Sequence, residues 1–404
     1  MEGDREADRL TEIGIVGAGI AGSTLAIALK QSGLDTRLYD QPSPPPASDG
    51  PVFLSANGTR VLHAIGLKEA LANVAVFPQF ATIRHARTGF LLSQRPLGAF
   101  SEARYGAPDC LVDGNVLTGM LRLKAQELHI PLDAAGRIEH VDAGSATLHL
   151  EGDGRRRHLA LAVASGRPAN AGELGLSTLR NERAWGAPGD PMHSRAIGLR
   201  AAPTRDHARF INPWIAEGLV AVEQPITSDQ ADQRLALTLI TAPRPGEEDP
   251  AALLSALLGR MHPHLRNLIA DPQITFASEP IADVAEFWFA EKLVLLGGLC
   301  HAHSTFPELT PSAALEDAWV LSRMMERWEE SPHEGYADYE RYRKPRARRL
   351  RAFSDAERHS LTIREPLASW RRNLKWSLTS RFLPEIAMQR TDWLYGYDCI
   401  KGFI

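Results

Sequence analysis

Three glycines and one acid carry the most specific chemistry in this chain. Gly17, Gly19 and Gly22 form GxGxxG within IGIVGAGIAGSTLAIALKQSGLDTRLYD (13–40). Gly17 permits a tight turn, Gly19 lets backbone approach a pyrophosphate, and Gly22 permits close helix–strand packing. Asp40 follows the second apolar run, where a carboxylate would accept hydrogen bonds from an adenosine ribose. A second cluster is Cys300, His301 and His303 in GGLCHAHS. An imidazole titrates near neutral pH, so His303, with His301 beside it, is a candidate general acid or base. Their spacing is too tight for a zinc site without distant ligands, so no metal is expected. Glu223 and Gln224 follow GLVAV and are read as facing a substrate pocket; Glu223 is the third candidate catalytic residue.

The elements that must position these groups are legible in outline. Ile13–Val16 is a short apolar run suited to a buried parallel strand, and the helix after Gly19 ends at Gly33. Residues 41–50 form a Pro/Ser loop. Helices are expected over 55–73, capped by Ser55 or Asn57, and over 114–128, 250–270 and 312–328. A hairpin spans 80–100, three strands fill 137–164, and 195–240 alternates as an antiparallel sheet. Lys292–Leu296 returns to the first domain as a buried strand. The basic run RYRKPRARRLR (341–351) reads as a solvated helical face. The tail aromatics Trp370, Trp376, Trp393, Tyr395 and Tyr397 read as packing for a C-terminal helical segment.

Composition narrows the class. The 404 residues are 44% hydrophobic and 23% charged, ordinary for a globular protein of two domains. A formal net charge of −4 gives no reason to expect nucleic acid or an anionic membrane as partner. Three scattered cysteines imply neither a disulfide framework nor a zinc cluster. The polar N-terminus is unlike a signal peptide, and no apolar run reaches the roughly 20 residues of a membrane span. A cytoplasmic protein is expected.

The order of motifs resembles the class A flavoprotein monooxygenases, the group of p-hydroxybenzoate, salicylate and 6-hydroxynicotinate hydroxylases. The resemblance runs through the fingerprint, SANGTRVLHAIGL (55–67), RPLGAFSEARYGAPDCLVDGNVL (95–117), KLVLLGGLCHAHSTFPELTPSAALEDAWVLSRMM (292–325) and DWLYGYD (392–398). It implies an α/β fold. A Rossmann-like domain of p-hydroxybenzoate hydroxylase type would comprise 10–79, 101–185 and 286–350. An antiparallel-sheet substrate domain would take 80–100 and 186–285, and a helical segment 351–404. It also implies FAD, reduced by NAD(P)H, and hydroxylation of an aromatic ring.

Several family motifs are altered in this chain. The glycine-rich run after the second strand reads Asp49, Gly50, Pro51, Val52. The arginine of "HRxxL" is Gly114, the "ADG" motif reads Ala164, Ser165, Gly166, and "GDAxH" reads Gly297 to His301 with Gly298 for the aspartate. The "GQG" loop reads Leu309, Thr310, Pro311, and Phe53 replaces a histidine near the ring. Each lost charged partner removes about 1.5–3 kcal/mol of cofactor affinity. The expectation drawn from these losses is that FAD is no longer bound. The old cleft would then catalyse a cofactor-independent cyclisation or isomerisation of a hydrophobic or aromatic small molecule in specialised metabolism. The alternatives are an FAD- and NAD(P)H-dependent aromatic hydroxylase with an altered flavin site, and a non-catalytic ligand-binding or partner protein.

Overall fold

The computed structural model describes residues 12–40, 50–134, 136–152, 154–164, 174, 176, 192–201, 209–226, 234–241, 250–269, 277–280, 283–301 and 309–403. Along the first third run β1 (Ile13–Val16), α1 (Ile20–Gln31), β2 (Thr36–Tyr39), β3 (Pro51–Leu54), α2 (Ala56–Ala64) and α3 (Lys68–Val74). Then come β4 (Phe80–His85), β5 (Leu91–Pro96), α4 (Ala99–Tyr105), β6 (Cys110–Asp113) and α5 (Gly114–Glu127). Seven strands follow: β7 (Leu132–Asp133), β8 (Ile138–Asp142), β9 (Thr147–Leu150), β10 (Gly154–Arg157), β11 (Ala160–Val163), β12 (Met192–Ala201) and β13 (Phe210–Ala216). β14 (Leu219–Pro225) and β15 (Arg234–Thr241) lead into α6 (Pro250–Leu258) and α7 (Pro263–Ile269). The chain closes with β16 (Ala277–Pro280), β17 (Phe289–Ala290), β18 (Leu293–Leu295), α8 (Thr310–Arg327), α9 (Pro332–Leu361), α10 (Pro366–Phe382) and α11 (Pro384–Tyr395).

The first sheet has the order β17-β18-β11-β1-β2-β7. Its pairings are parallel except β17–β18. Strands buried on both faces need apolar residues throughout, which is why IGIV, ALAV and LVL read as continuous runs. Their side chains form the main core with α1, α5 and α8. The second sheet has the order β16-β12-β15-β14-β13-β4-β5. One of its faces packs on α6 and α7 through Trp214, Leu219, Ala221, Leu237 and Leu239. The opposite face packs on Phe53 and Leu111 of the β3–β6 pair through Ile211, Ile215, Val220, Val222 and Ile240.

The α/β class, the Rossmann-type first domain with antiparallel strands elsewhere and the helical C-terminal segment are as expected from sequence. Some details differ. The helix over 55–73 is two helices, broken at Gly66, whose φ of +85° ends α2. Residues 250–270 likewise divide before Pro263, since proline suits a first helical turn. Four strands, not three, fill 137–164: β10, whose GRRR has no apolar alternation to mark it, pairs with β9. The second sheet contains one parallel pairing, β4 with β13. The basic run in α9 is not wholly solvated: Arg343 is fully buried and Arg346 nearly so.

Candidate functional site

The turn between β1 and α1 leaves backbone donors open to a ligand. Gly17 has φ +101°, and its N–H donates to the Tyr39 carbonyl at 2.7 Å. A Cβ at Gly22 would lie 1.9 Å from the Gly17 carbonyl oxygen, so only glycine lets α1 close on the turn. A Cβ at Gly19 would meet nothing within 4 Å, so this backbone is open to a ligand. α1 starts there without a side-chain cap or an acid in its first turn. Its free N–H groups and dipole therefore favour an anion. Asp40 accepts from the Ala18 N–H at 3.4 Å and pairs with Arg122 of α5, which also donates to the Ala18 carbonyl at 3.1 Å. The carboxylate thus stands beside the turn, held by a residue that sequence reading passed over. Backbone and side chains here fit the ribose and pyrophosphate of a dinucleotide.

Two of the altered positions, Gly114 and Gly298, lie at the start of α5 and in the turn after β18. Gly114 is buried at the start of α5, where its N–H donates to the Gly50 carbonyl at 3.2 Å. The Asp113 side chain caps that helix by accepting from the Asn115 and Val116 N–H groups at 2.9 and 3.2 Å. Gly297 has φ +66°, and a Cβ there would come within 3.0 Å of Ala21, so the turn containing Gly298 abuts α1. Ser165 and Gly166 lie outside the described residues.

His301 ends that turn and is buried. Its Nε2 bonds Asp317, and Asp317 in turn accepts from Arg343 Nε at 2.7 Å. Glu316 accepts from Arg343 and Arg346 at 2.7 Å and from Asn57 at 2.6 Å. Burial raises the Asp317 and Glu316 carboxyls, but the charges of His301 and Arg343 on one, and of Arg346 and Arg343 on the other, outweigh it. Both titrate below the usual carboxylate range. This network ties α2, α8 and α9 to the His301 turn. His303 lies outside the described residues.

Glu223 is 2% exposed, but its side chain is on the α7 side of the sheet, away from Phe53 and Leu111. It bonds His264 Nε2 at 2.5 Å and accepts from Asn212 at 3.1 Å; Asn212 accepts from Thr82. The hydrogen bond to Glu223 raises the His264 pKa against the opposing effect of burial. Glu223, read from sequence as facing a substrate pocket, therefore lies on the sheet face that packs on α6 and α7. Strand alternation explains the difference: Val222 and Gln224 point to the other face. On that face Thr238, opposite Val222, is 5% exposed, and its hydroxyl has no hydrogen-bond partner among the described residues. No sequence signal marks Thr238, since a threonine in a strand is ordinary.

The parallel sheet and the open glycine turn form a Rossmann-type unit. A family model described as an NAD(P)-binding Rossmann-like domain matches residues 15–45. The chain is 29% identical to 3-amino-4-hydroxybenzoate 2-monooxygenase of Streptomyces cremeus, over 84% of each chain. It is 24% identical to 6-hydroxynicotinate 3-monooxygenase of Pseudomonas fluorescens, over 89% of this chain and 93% of the relative. Its fold matches that of Klebsiella pneumoniae HpxO, solved with FAD and uric acid. The TM-score is 0.74 at 20% identity, covering 94% of this chain and 96% of that one. In sequence and fold the chain is similar to the class A flavoprotein monooxygenases.

These relatives overturn the expectation of a cofactor-free cyclase or isomerase. They are named as monooxygenases, and the matching HpxO structure contains FAD. The expectation counted lost side-chain partners. It gave too little weight to the backbone donors and helix N-terminus of the β1–α1 turn, which need no particular side chain. No helix among the described residues is long and apolar enough to cross a membrane.

Proposed function

We propose that this protein is an FAD- and NAD(P)H-dependent hydroxylase of a small aromatic substrate. The observation that carries the reading is the open turn at Gly19, flanked by Asp40, in a chain whose relatives are aromatic monooxygenases. Gly17, Gly19 and Gly22 would hold the pyrophosphate and Asp40 the ribose. The bound flavin would supply the redox chemistry, with NAD(P)H as reductant and dioxygen as oxidant.

The chain's own residues bind and orient. The second sheet is the substrate domain in this reading, its Val222, Gln224 and Thr238 face turned toward Phe53. The unpartnered Thr238 hydroxyl and the Gln224 amide would meet polar groups of the ring. His301, tied to Asp317, is a positioning residue that holds the turn against α1 rather than a proton carrier. His303, just beyond it, is retained as the candidate acid or base.

A visible spectrum of the purified protein, before and after incubation with FAD and dialysis, tests the first half. NAD(P)H oxidation with amino- and hydroxy-substituted benzoates and hydroxynicotinates, with detection of hydroxylated product, tests the second. A flavin band and a ring-hydroxylated product are expected. A protein that cannot be reconstituted with FAD would overturn the proposal.

A further inference from the structure

α10 has two unlike faces. Its inner face lies on the second sheet: Gln94 N–H of β5 donates to Ser380 Oγ at 3.0 Å, Arg372 is buried and donates to the Ser360 carbonyl at 2.7 Å, and Trp376 packs on the sheet's apolar cluster. Its outer face presents Leu367, Trp370, Leu374, Leu378 and Phe382, which are 43–65% exposed. Spacings of three and four residues put these side chains in one stripe about 120° wide, given 3.6 residues per turn. Leu383 and Ile386 continue it past the helix end, at 51% and 46% exposed. The aromatic Trp370, expected from sequence to pack inward, is among the most exposed large side chains of the molecule.

The same face is basic. Arg371, Lys375 and Arg381 are exposed among the apolar side chains and form no salt bridge among the described residues. From Pro366 to Pro384 the sequence contains no Asp or Glu. Contiguous exposed apolar surface of this kind marks an interaction site.

We propose that the outer face of α10 docks on an anionic lipid bilayer, with the helix lying in the plane of the interface. The apolar stripe would enter the headgroup–acyl boundary, and Arg371, Lys375 and Arg381 would meet lipid phosphates. Charge selects this occupant over a second copy of the chain, because a two-fold contact through this face would gather three cations from each copy with no acid of the same stretch to offset them. Shape agrees: a single helix ridge is convex and suits a flat, deformable surface. The chain's net charge of −4 does not oppose docking, since charges beyond about 8 Å are largely screened at physiological salt and the local cations dominate.

The test is flotation of the full-length protein with phosphatidylcholine vesicles, with and without phosphatidylglycerol, alongside tryptophan emission and light scattering for mass. Binding to the anionic vesicles only, weakened by salt and accompanied by a blue shift, is expected. The triple variant Arg371→Gln, Lys375→Gln, Arg381→Gln should bind about a hundredfold more weakly. Leu374→Ser with Leu378→Ser should lose the blue shift; both sites are exposed, so an unchanged Tm is expected alongside. Failure to bind phosphatidylglycerol vesicles overturns the proposal. So does a dimer that these serine substitutions dissociate while lipid binding is unaffected. Neither result bears on FAD binding at the β1–α1 turn.

Discussion

Two glycines of the fold's first crossover, Gly19 and Gly22, do different jobs, and substitution separates them. Gly19 has an extended backbone (φ −84°) and open space around it, so Gly19→Val should fold with a Tm close to that of the parent. Its side chain would occupy the cradle, and FAD affinity measured by fluorescence quenching should fall about tenfold or more. Gly22→Ala forces a Cβ into the Gly17 carbonyl, and chemical denaturation should show a loss of roughly 1–3 kcal/mol or more. Thr238 admits a similar separation of roles. Thr238→Val removes a buried hydroxyl with no partner among the described residues, so stability should be unchanged or slightly higher. If that hydroxyl meets the substrate, kcat/KM should drop about tenfold. An unchanged kcat/KM would remove Thr238 from the site.

At the scale of elements, the ion-pair network between α8 and α9 and the link from the sheet to α7 respond to pH in opposite directions. Arg343→Met would leave Glu316 without one of its two arginine partners and Asp317 with His301 alone. A loss of about 3–5 kcal/mol in urea unfolding is expected, the usual result of breaking a buried charge pair. Both carboxyls titrate below their unfolded values. Their contribution is therefore present above the unfolded pKa and lost as pH falls through the folded value. His264 titrates above its unfolded value. Its pairing with Glu223 contributes fully below the unfolded pKa and fades as pH rises through the folded one. Tm should decline on the alkaline side of about pH 6.5, and His264→Gln should flatten that limb while leaving the acid limb in place. A decline that survives in His264→Gln would assign it to another group.

For the whole molecule, the reading of a nucleotide site makes a mass-action prediction. On that reading FAD would bind the folded chain and not the unfolded one, so saturating FAD at 100 times its Kd should stabilise the fold by about 2.7 kcal/mol. Differential scanning fluorimetry with and without FAD measures this as a concentration-dependent rise in Tm. A Tm indifferent to FAD would contradict a nucleotide site at the β1–α1 turn. At the same FAD concentration Gly19→Val, with affinity about tenfold weaker, should reduce the rise by about half or more without lowering the starting Tm.

The sequence by itself determined the Rossmann unit, because Gly17, Gly19, Gly22 and the apolar run before them are local requirements of backbone geometry. It also determined the strand that returns at 293–295 and the helices at either end, through apolar periodicity and proline or glycine at their boundaries. Reading altered motifs as lost cofactor chemistry went astray because a phosphate cradle is made of backbone donors, which side-chain identities do not report. Only the tertiary structure decided which face of β14 meets the β3–β6 pair. A strand's alternation says that Glu223 and Gln224 point opposite ways, but not which way is inward. Long-range packing likewise decided that Arg343, inside a basic run, is buried against Glu316 and Asp317, and that Trp370, inside an aromatic tail, faces outward. Burial and pairing at such positions depend on what neighbouring elements bring to them, and those neighbours are far away in sequence.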